Sequence, residues 1–231
     1  MPKLSLIVPT LNEEANIGAA LEAAQPLRRR GVEILVVDGG SADRTTAIAA
    51  SLSDAVIMAP RGRAAQMNAG AARARGDMLL FLHADTRLPP DADRLILEGL
   101  AASGRLWGRF DVAIASPHPL LRLTASLMNR RSRLTGIATG DQAIFVRRSA
   151  FHACGEYPNL PLMEDIAISS ALKRLGRPLC LSQRVLTSAR RWEKHGVVRT
   201  LFLMWRLRLA YFLGADPACL AERYGYPIKK S

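Results

Sequence analysis

Three short apolar runs near the start of the chain each end on a turn that carries an acid: Val8-Pro9-Thr10-Leu11-Asn12-Glu13-Glu14, Val36-Val37-Asp38-Gly39-Gly40-Ser41-Ala42-Asp43 and Phe81-Leu82-His83-Ala84-Asp85. A run that is apolar at successive positions reads as a strand buried on both faces, as in the middle of a parallel sheet. Open α/β sheets hold ligands outside the carboxyl ends of their strands. The three endings are therefore expected to converge on one crevice, the place for a nucleotide.

Between these runs the periodicity changes to that of helices. Residues 4–8 predict a strand, and residues 13–29 a helix that buries Ile17, Ala20, Leu21 and Ala24 and is capped by Asn12 or Thr10. Residues 32–37 predict a second strand, followed by a helix capped by Ser41 or Asp43, a short strand at 55–58, an alanine-rich helix at 62–75 and a strand at 78–82. Such alternation predicts an α/β fold with a mixed, mainly parallel sheet flanked by helices. Further on the pattern predicts helices at 91–102, 120–128 and 164–175 and strands at 106–115 and 142–146, with the basic run Arg130-Arg131-Ser132-Arg133 between them.

The stretch 197–213 is strongly apolar but carries Arg206 and Arg208 near its centre, which argues against a membrane span of about 20 apolar residues. It predicts a C-terminal helical tail over 196–231, appended to a domain over 1–195. The tail is read as interfacial, dimer-forming or packed on the domain.

With 231 residues, 49% of them hydrophobic, the chain has enough apolar material for a core. The net charge of +12 calls for an anionic partner without naming it. Cys154, Cys180 and Cys219 are far apart and lack metal-ligand spacing, so a reducing cytoplasm is expected. The opening residues read as a strand and not as a secretion signal.

Four positions carry candidate chemistry. Asp38 ends a buried strand, where a carboxylate accepts hydrogen bonds from a ribose or base, or alternatively organises its own turn. Asp85 follows the strand at 78–82 and offers the hard oxygen that a divalent cation on a diphosphate needs. Glu164 and Asp165 open a helix, either complementing its dipole or taking a proton from an acceptor hydroxyl. Arg190-Arg191-Trp192 offers cationic donors to a diphosphate, or is a solvated basic turn.

Taken together and in order, these segments resemble glycosyltransferase family 2, of the GT-A fold. The resemblance rests on the first two acidic turns, on Asn68-Ala69-Gly70 before Gly76-Asp77, and on His83-Ala84-Asp85 at the place of the family's Asp-x-Asp motif. It continues through Gly140-Asp141-Gln142, Glu164-Asp165 and Arg190-Arg191-Trp192, and so runs from about residue 4 to residue 195.

The resemblance implies a nucleotide-sugar transferase with UDP- or GDP-sugar donors, an inverting mechanism and Mg²⁺ or Mn²⁺ as cofactor. It implies that Thr10, Glu13 and Asp38 contact base and ribose with Arg61 or Arg63 nearby, that Asp85 binds the metal, that Asp165 is the base beside Glu164, and that Arg191 and Trp192 close over the leaving group. His83 departs from the pattern by replacing the first acid of the metal motif. The acceptor is unnamed, and a cytoplasmic enzyme peripheral to the inner face of the membrane is expected.

Two other classes are weighed against this reading. A nucleotidyltransferase lacks support because no glycine-rich, lysine-containing phosphate loop follows the first strand. A basic module for RNA or anionic lipid is weakened by an aromatic content of 6% that is not interleaved with the basic runs. Nucleic acid is accordingly not expected as a partner.

Overall fold

A computed structural model describes residues 3–226. The first half alternates as expected: β1 (Leu4–Thr10), α1 (Glu14–Arg29), β2 (Glu33–Asp38), α2 (Thr45–Leu52), β3 (Ala55–Met58), α3 (Arg63–Arg73) and β4 (Met78–Phe81). Then come β5 (Thr86–Arg87), α4 (Ala92–Ser103), β6 (Trp107–Ala115), α5 (Pro119–Thr135), a single 3-10 turn (Gly140–Gln142), β7 (Phe145–Arg147) and α6 (Arg148–Ala153). The chain continues through α7 (Glu164–Leu175), β8 (Leu179–Ser188), α8 (Arg190–His195), α9 (Val197–Phe212) and α10 (Pro217–Tyr224).

The eight strands form one sheet in the order β3-β2-β1-β4-β7-β6-β8-β5. The pairs β1/β2, β1/β4, β2/β3 and β6/β8 are parallel, whereas β4/β7, β6/β7 and β5/β8 are antiparallel. Strand order reverses at β1, with β2 on one side and β4 on the other. The crevice between the carboxyl ends of β1 and β4 is thus a topological switch point.

Alternate residues of one strand serve opposite faces of the sheet. Leu6, Val8, Ile34, Val36 and Leu80 pack with Ile17 and Leu21 of α1, while Ile7, Leu35, Val37, Leu79 and Phe81 pack with Met67 and Ala71 of α3 and Ile168 of α7. This two-sided burial is why the strands are apolar throughout. Close approach requires glycine at Gly70: an added Cβ there would lie 2.4 Å from Ile7 Cγ2 and 2.9 Å from Val37 Cγ2.

Several local expectations need correction. Thr10 does not cap α1 but ends β1 fully inside the sheet. Asn12 (φ 53°) accepts from Ala42 N in the next loop at 2.9 Å. The helix start is capped across loops instead, by Glu13 N donating to Thr45 Oγ1 (2.8 Å) and Glu14 N to Asp43 Oδ2 (3.2 Å), with Arg44 N donating back to Glu14 Oε2 (3.0 Å). Asp43 also accepts from Thr45 N at the start of α2, but Ser41 serves Asn12 N. The basic run at 130–133 lies inside α5, because that helix continues to Thr135 before Gly136 ends it in a left-handed conformation.

The periodicity missed β5, β8, α6, α8 and α10. In β8 the register against β6 passes from Phe110–Leu181 to Asp111–Arg184, so Ser182 and Gln183 bulge out and break the apolar alternation. The tail comprises two helices, with Leu207 of α9 and Leu220 and Ala221 of α10 sharing a small core with Ile137, Leu162, Met163 and Ile166.

Candidate active site

The carboxyl ends of β1 and β2 are held together by polar groups. Buried Gln66 of α3 donates from Nε2 to the carbonyls of Thr10 and Val37, both at 2.7 Å. Its amide ties the ends of the two strands together through their carbonyls, that of Thr10 also accepting from Gly39 N at 2.9 Å. Asp38 is fully buried; Oδ2 accepts from Gly40 N (2.8 Å) and Ser41 N (2.7 Å), and Oδ1 from Thr10 Oγ1 (3.3 Å) and Ser41 Oγ. Thr10 and Asp38 therefore brace the turn that rims the crevice. Glu13 stands beside them, accepting from Asn16 Nδ2 (2.7 Å) and from Arg190 Nη2 (3.0 Å).

On the β4 side, the loop after the strand brings His83 and Asp85 to the crevice. His83 Nδ1 faces Asp141 Oδ1 at 3.3 Å, and its other ring nitrogen lies against Gly140, where an added Cβ would approach to 2.3 Å. Glycine at 140 is what lets the Nε2–Cε1 edge of the imidazole approach the 3-10 turn. Burial raises the pKa of Asp85, an effect eased by the charge of His83 and reinforced by Asp141 and Glu13. Asp141 moves the other way: burial opposes its ionisation, but the hydrogen bond and charge of His83 and the charge of Arg63 hold it below the ordinary carboxylate range.

Helix α7 contributes the second pair of acids. Asp165 accepts at Oδ2 from Gly140 N (2.9 Å) and at Oδ1 from Ile166 N (2.7 Å), locking the 3-10 turn to the start of α7. Glu164 is only 4% exposed and faces the Arg63 guanidinium, Nη1 to Oε1 being 3.8 Å. Burial and the neighbouring Asp165 lift its pKa, with Arg63 partly offsetting them. His83, Gly140, Glu164 and Asp165, with Tyr157 and Met67, line a cavity of about 10 Å³, room for one water. Tyr157 is placed there by Asn68, whose amide bonds both its carbonyl (2.8 Å) and its N–H (3.1 Å).

The C-terminal helices reach this site as well. Arg191 donates from Nη2 to the Tyr224 carbonyl (2.7 Å) and lies 3.5 Å above the centre of the Tyr224 ring. Burial pushes the Tyr224 hydroxyl up to about 12, so the ring stays neutral. Arg63 lies 5.8 Å from the Tyr226 ring. Trp192 is buried in the main core with Ala189 and Val185, and Arg61 is exposed. Arg131, at the end of α5 nearest this region, feels the charge of Asp165 and holds Nε and Nη2 buried without a hydrogen-bond partner.

The fold thus brings His83, Asp85, Glu164, Asp165 and Arg63 together and sets Thr10, Glu13 and Asp38 on the adjoining rim. Arg191 engages the tail, Trp192 the core, and Arg61 the surface. Arg190, offered with Arg191 and Trp192 as a diphosphate donor, instead pairs with Glu13, whereas Asp141, Gln66, Tyr224 and Tyr226 are not singled out as site residues by the sequence. Asp141 had a signal in Gly140-Asp141-Gln142; the tyrosines had none, since only tertiary packing carries them to the arginines.

Among the described residues no three His, Cys, Asp or Glu side chains stand close enough to hold a metal by themselves. Mg²⁺ and Mn²⁺ do not require that: one or two carboxylates plus substrate phosphates suffice for such hard ions. Asp85, with Asp141 close enough to act on it electrostatically, fits an ion shared with a diphosphate.

The sequence model described as Glycosyl transferase family 2 matches residues 5–154. The chain is 27% identical over 238 residues to the probable glycosyltransferase YdaM of Bacillus subtilis (strain 168), covering 93% of this chain and 55% of that protein. Its fold is similar to that of the mannosyltransferase PcManGT from Pyrobaculum calidifontis in complex with GDP-Man and Mn²⁺, with a TM-score of 0.67, 20% identity, and coverage of 90% of this chain and 61% of the other. It is also similar to glucosyl-3-phosphoglycerate synthase from Mycobacterium tuberculosis in complex with Mn²⁺, UDP and glucosyl-3-phosphoglycerate, with a TM-score of 0.65, 19% identity, and coverage of 99% and 82%. The chain spans about half the length of the curated relatives it matches.

Proposed function

The chain belongs to glycosyl transferase family 2, and from that premise we propose that it moves a sugar from a UDP- or GDP-linked donor to an acceptor hydroxyl, with inversion at the anomeric carbon and with Mg²⁺ or Mn²⁺ bound. The observation that carries this reading is the meeting of Asp85, Asp141, Glu164, Asp165 and Arg63 at the switch point between β1 and β4. The complexes of the similar structures with GDP-Man, UDP and Mn²⁺ support the donor class and the ion.

In this reading Glu13 faces the base and ribose on a rim that Thr10 and Asp38 brace from within, with Arg63 at its edge, and Asp85, assisted by Asp141, would hold the ion. When bound, the ion supplies positive charge against the developing nucleoside diphosphate anion. Asp165 takes the acceptor proton, the acceptor oxygen forms its bond to the anomeric carbon, and the bond to the diphosphate oxygen breaks with its electron pair leaving on the nucleotide. Arg63 offers charge to that leaving group. Arg191 joins it by exchanging the Tyr224 carbonyl for a phosphate oxygen, with Trp192 fixing the helix that carries it.

We take the cytoplasm as the working compartment, at the inner face of the membrane, since the three cysteines are free as a reducing environment keeps them. Nucleic acid has no part in this reading.

The deciding experiment is Asp165→Asn. Donor binding is expected to persist while kcat falls about 10²-fold or more, with Glu164→Gln milder. One observation favours a second reading: both Asp165 oxygens accept backbone N–H groups, whereas Glu164 is buried beside only a loosely placed guanidinium. If Glu164→Gln is dead and Asp165→Asn turns over, Glu164 is the base.

A further inference from the structure

Helix α9 is apolar on two opposite faces. One face packs inward through Thr200 and Leu207, with Leu201, Leu203 and Met204 half-buried beside them. The other presents Val198, Phe202, Trp205, Leu209, Phe212 and the following Leu213, each more than half exposed. Their spacing of three and four residues aligns them in a stripe along the whole helix.

The charges on α9 are all positive and all lie at the edges of that stripe. With 100° per residue, Arg199 and Arg206 fall roughly 70–90° to one side of its centre and Arg208 roughly 90° to the other. No acid occurs between Glu193 and Asp216. An exposed apolar stripe of this size is rare on a soluble monomer. Flanking arginines on flexible stems reach lipid phosphates while the apolar side chains enter the acyl boundary. A second copy of the chain fits less well, because the two sets of arginines would face one another around the seam. No helix of the described residues is long and apolar enough to cross a membrane, so α9 would lie along its surface.

We propose that α9 docks this protein on an anionic bilayer, inserting the Val198–Phe202–Trp205–Leu209–Phe212 stripe at the level of the headgroups with Arg199, Arg206 and Arg208 on lipid phosphates. The proposal stands on the helix alone and does not depend on the assignment of the sugar-transfer site.

Trp205 provides the probe, being 66% exposed where Trp107 and Trp192 are 0% and 8% exposed. The full chain is mixed, without nucleotide, with vesicles of phosphatidylglycerol and phosphatidylcholine in equal parts and with vesicles of phosphatidylcholine alone. With the anionic vesicles, Trp205 fluorescence is expected to shift to the blue and to be quenched by brominated acyl chains, and the protein to co-sediment with the lipid. The double variant Phe202→Ser, Leu209→Ser, which alters exposed positions only, is expected to weaken partitioning at least about tenfold with an unchanged circular dichroism spectrum. Arg206→Gln with Arg208→Gln is expected to erase the preference for anionic lipid, as high salt does. Three results would overturn the proposal: no quenching with anionic vesicles, equal binding to both vesicle types, or a lipid-free dimer by analytical ultracentrifugation in which Trp205 is already shielded.

Discussion

The acids of the site differ in what surrounds them, and their variants should differ accordingly. Asp85 contributes a half-buried carboxylate whose backbone carbonyl, accepting from Ser188 N at 3.1 Å, survives substitution. Asp85→Ala is expected to abolish transfer and metal-dependent nucleotide binding while moving the Tm by no more than a few degrees, as calorimetry would check. His83→Asp restores the missing first acid but sets it against Asp141, so tighter Mn²⁺ binding is expected only with donor present. Glu164 has a raised pKa in the folded chain, so the folded state favours its protonated form. Its contribution to stability is full below the ordinary carboxylate value of 4.5 and is lost as pH rises through the folded pKa. Glu164→Gln should therefore leave Tm unchanged below the ordinary carboxylate value and raise it as pH climbs through the folded pKa. A variant that is less stable at neutral pH would show that the Arg63 pair outweighs burial.

At the scale of elements, the crevice depends on helices far from it in sequence. α3 supplies Arg63, Gln66 and Asn68 from its first two turns, and α7 supplies both acids at its first turn. α10 holds Arg191 through Tyr224 only while Leu220 and Ala221 stay seated against Ile137, Leu162 and Ile166. Leu220→Ala leaves a cavity in that small core and is expected to cost about 2–4 kcal/mol, measurable by urea denaturation. Freed of Tyr224, Arg191 should also become more accessible, so the KM for donor should change more than kcat. A change confined to stability would mean that α10 supports the fold without setting the arginine.

The whole molecule couples these elements to an excess of positive charge, +12 in total. A donor that binds the folded state alone stabilises it by about 2.7 kcal/mol at a hundred times its Kd. For a chain of this size that corresponds to a rise in Tm of roughly 5–10 °C. A panel of nucleoside diphosphates, each with and without Mn²⁺, should show such a rise for one or two bases and only in the presence of the ion. Equal shifts for every nucleotide, or for inorganic phosphate, would reduce the effect to the net charge and remove the support for a donor site.

The strand-turn-helix repeats of the first half, and the acids that end their strands, were written in the sequence because both are local properties. A strand buried on two faces is apolar residue by residue, as Leu6, Ile7 and Val8 are, and a turn declares itself by Gly39, Gly40 and Ser41. The partners of those acids were decided by topology. Nothing in local periodicity says that Asp38 meets Thr10, that His83 meets Asp141, that Arg63 meets Glu164, or that Arg191 leaves the crevice for Tyr224. β8 was hidden because Ser182 and Gln183 bulge from its register, and α10 because a short helix shows its apolar face only once its partners are known. Each of these features is a contact between residues distant in the chain, fixed by how the strands are ordered and the helices laid across them, and such contacts form only when the whole sheet is in place.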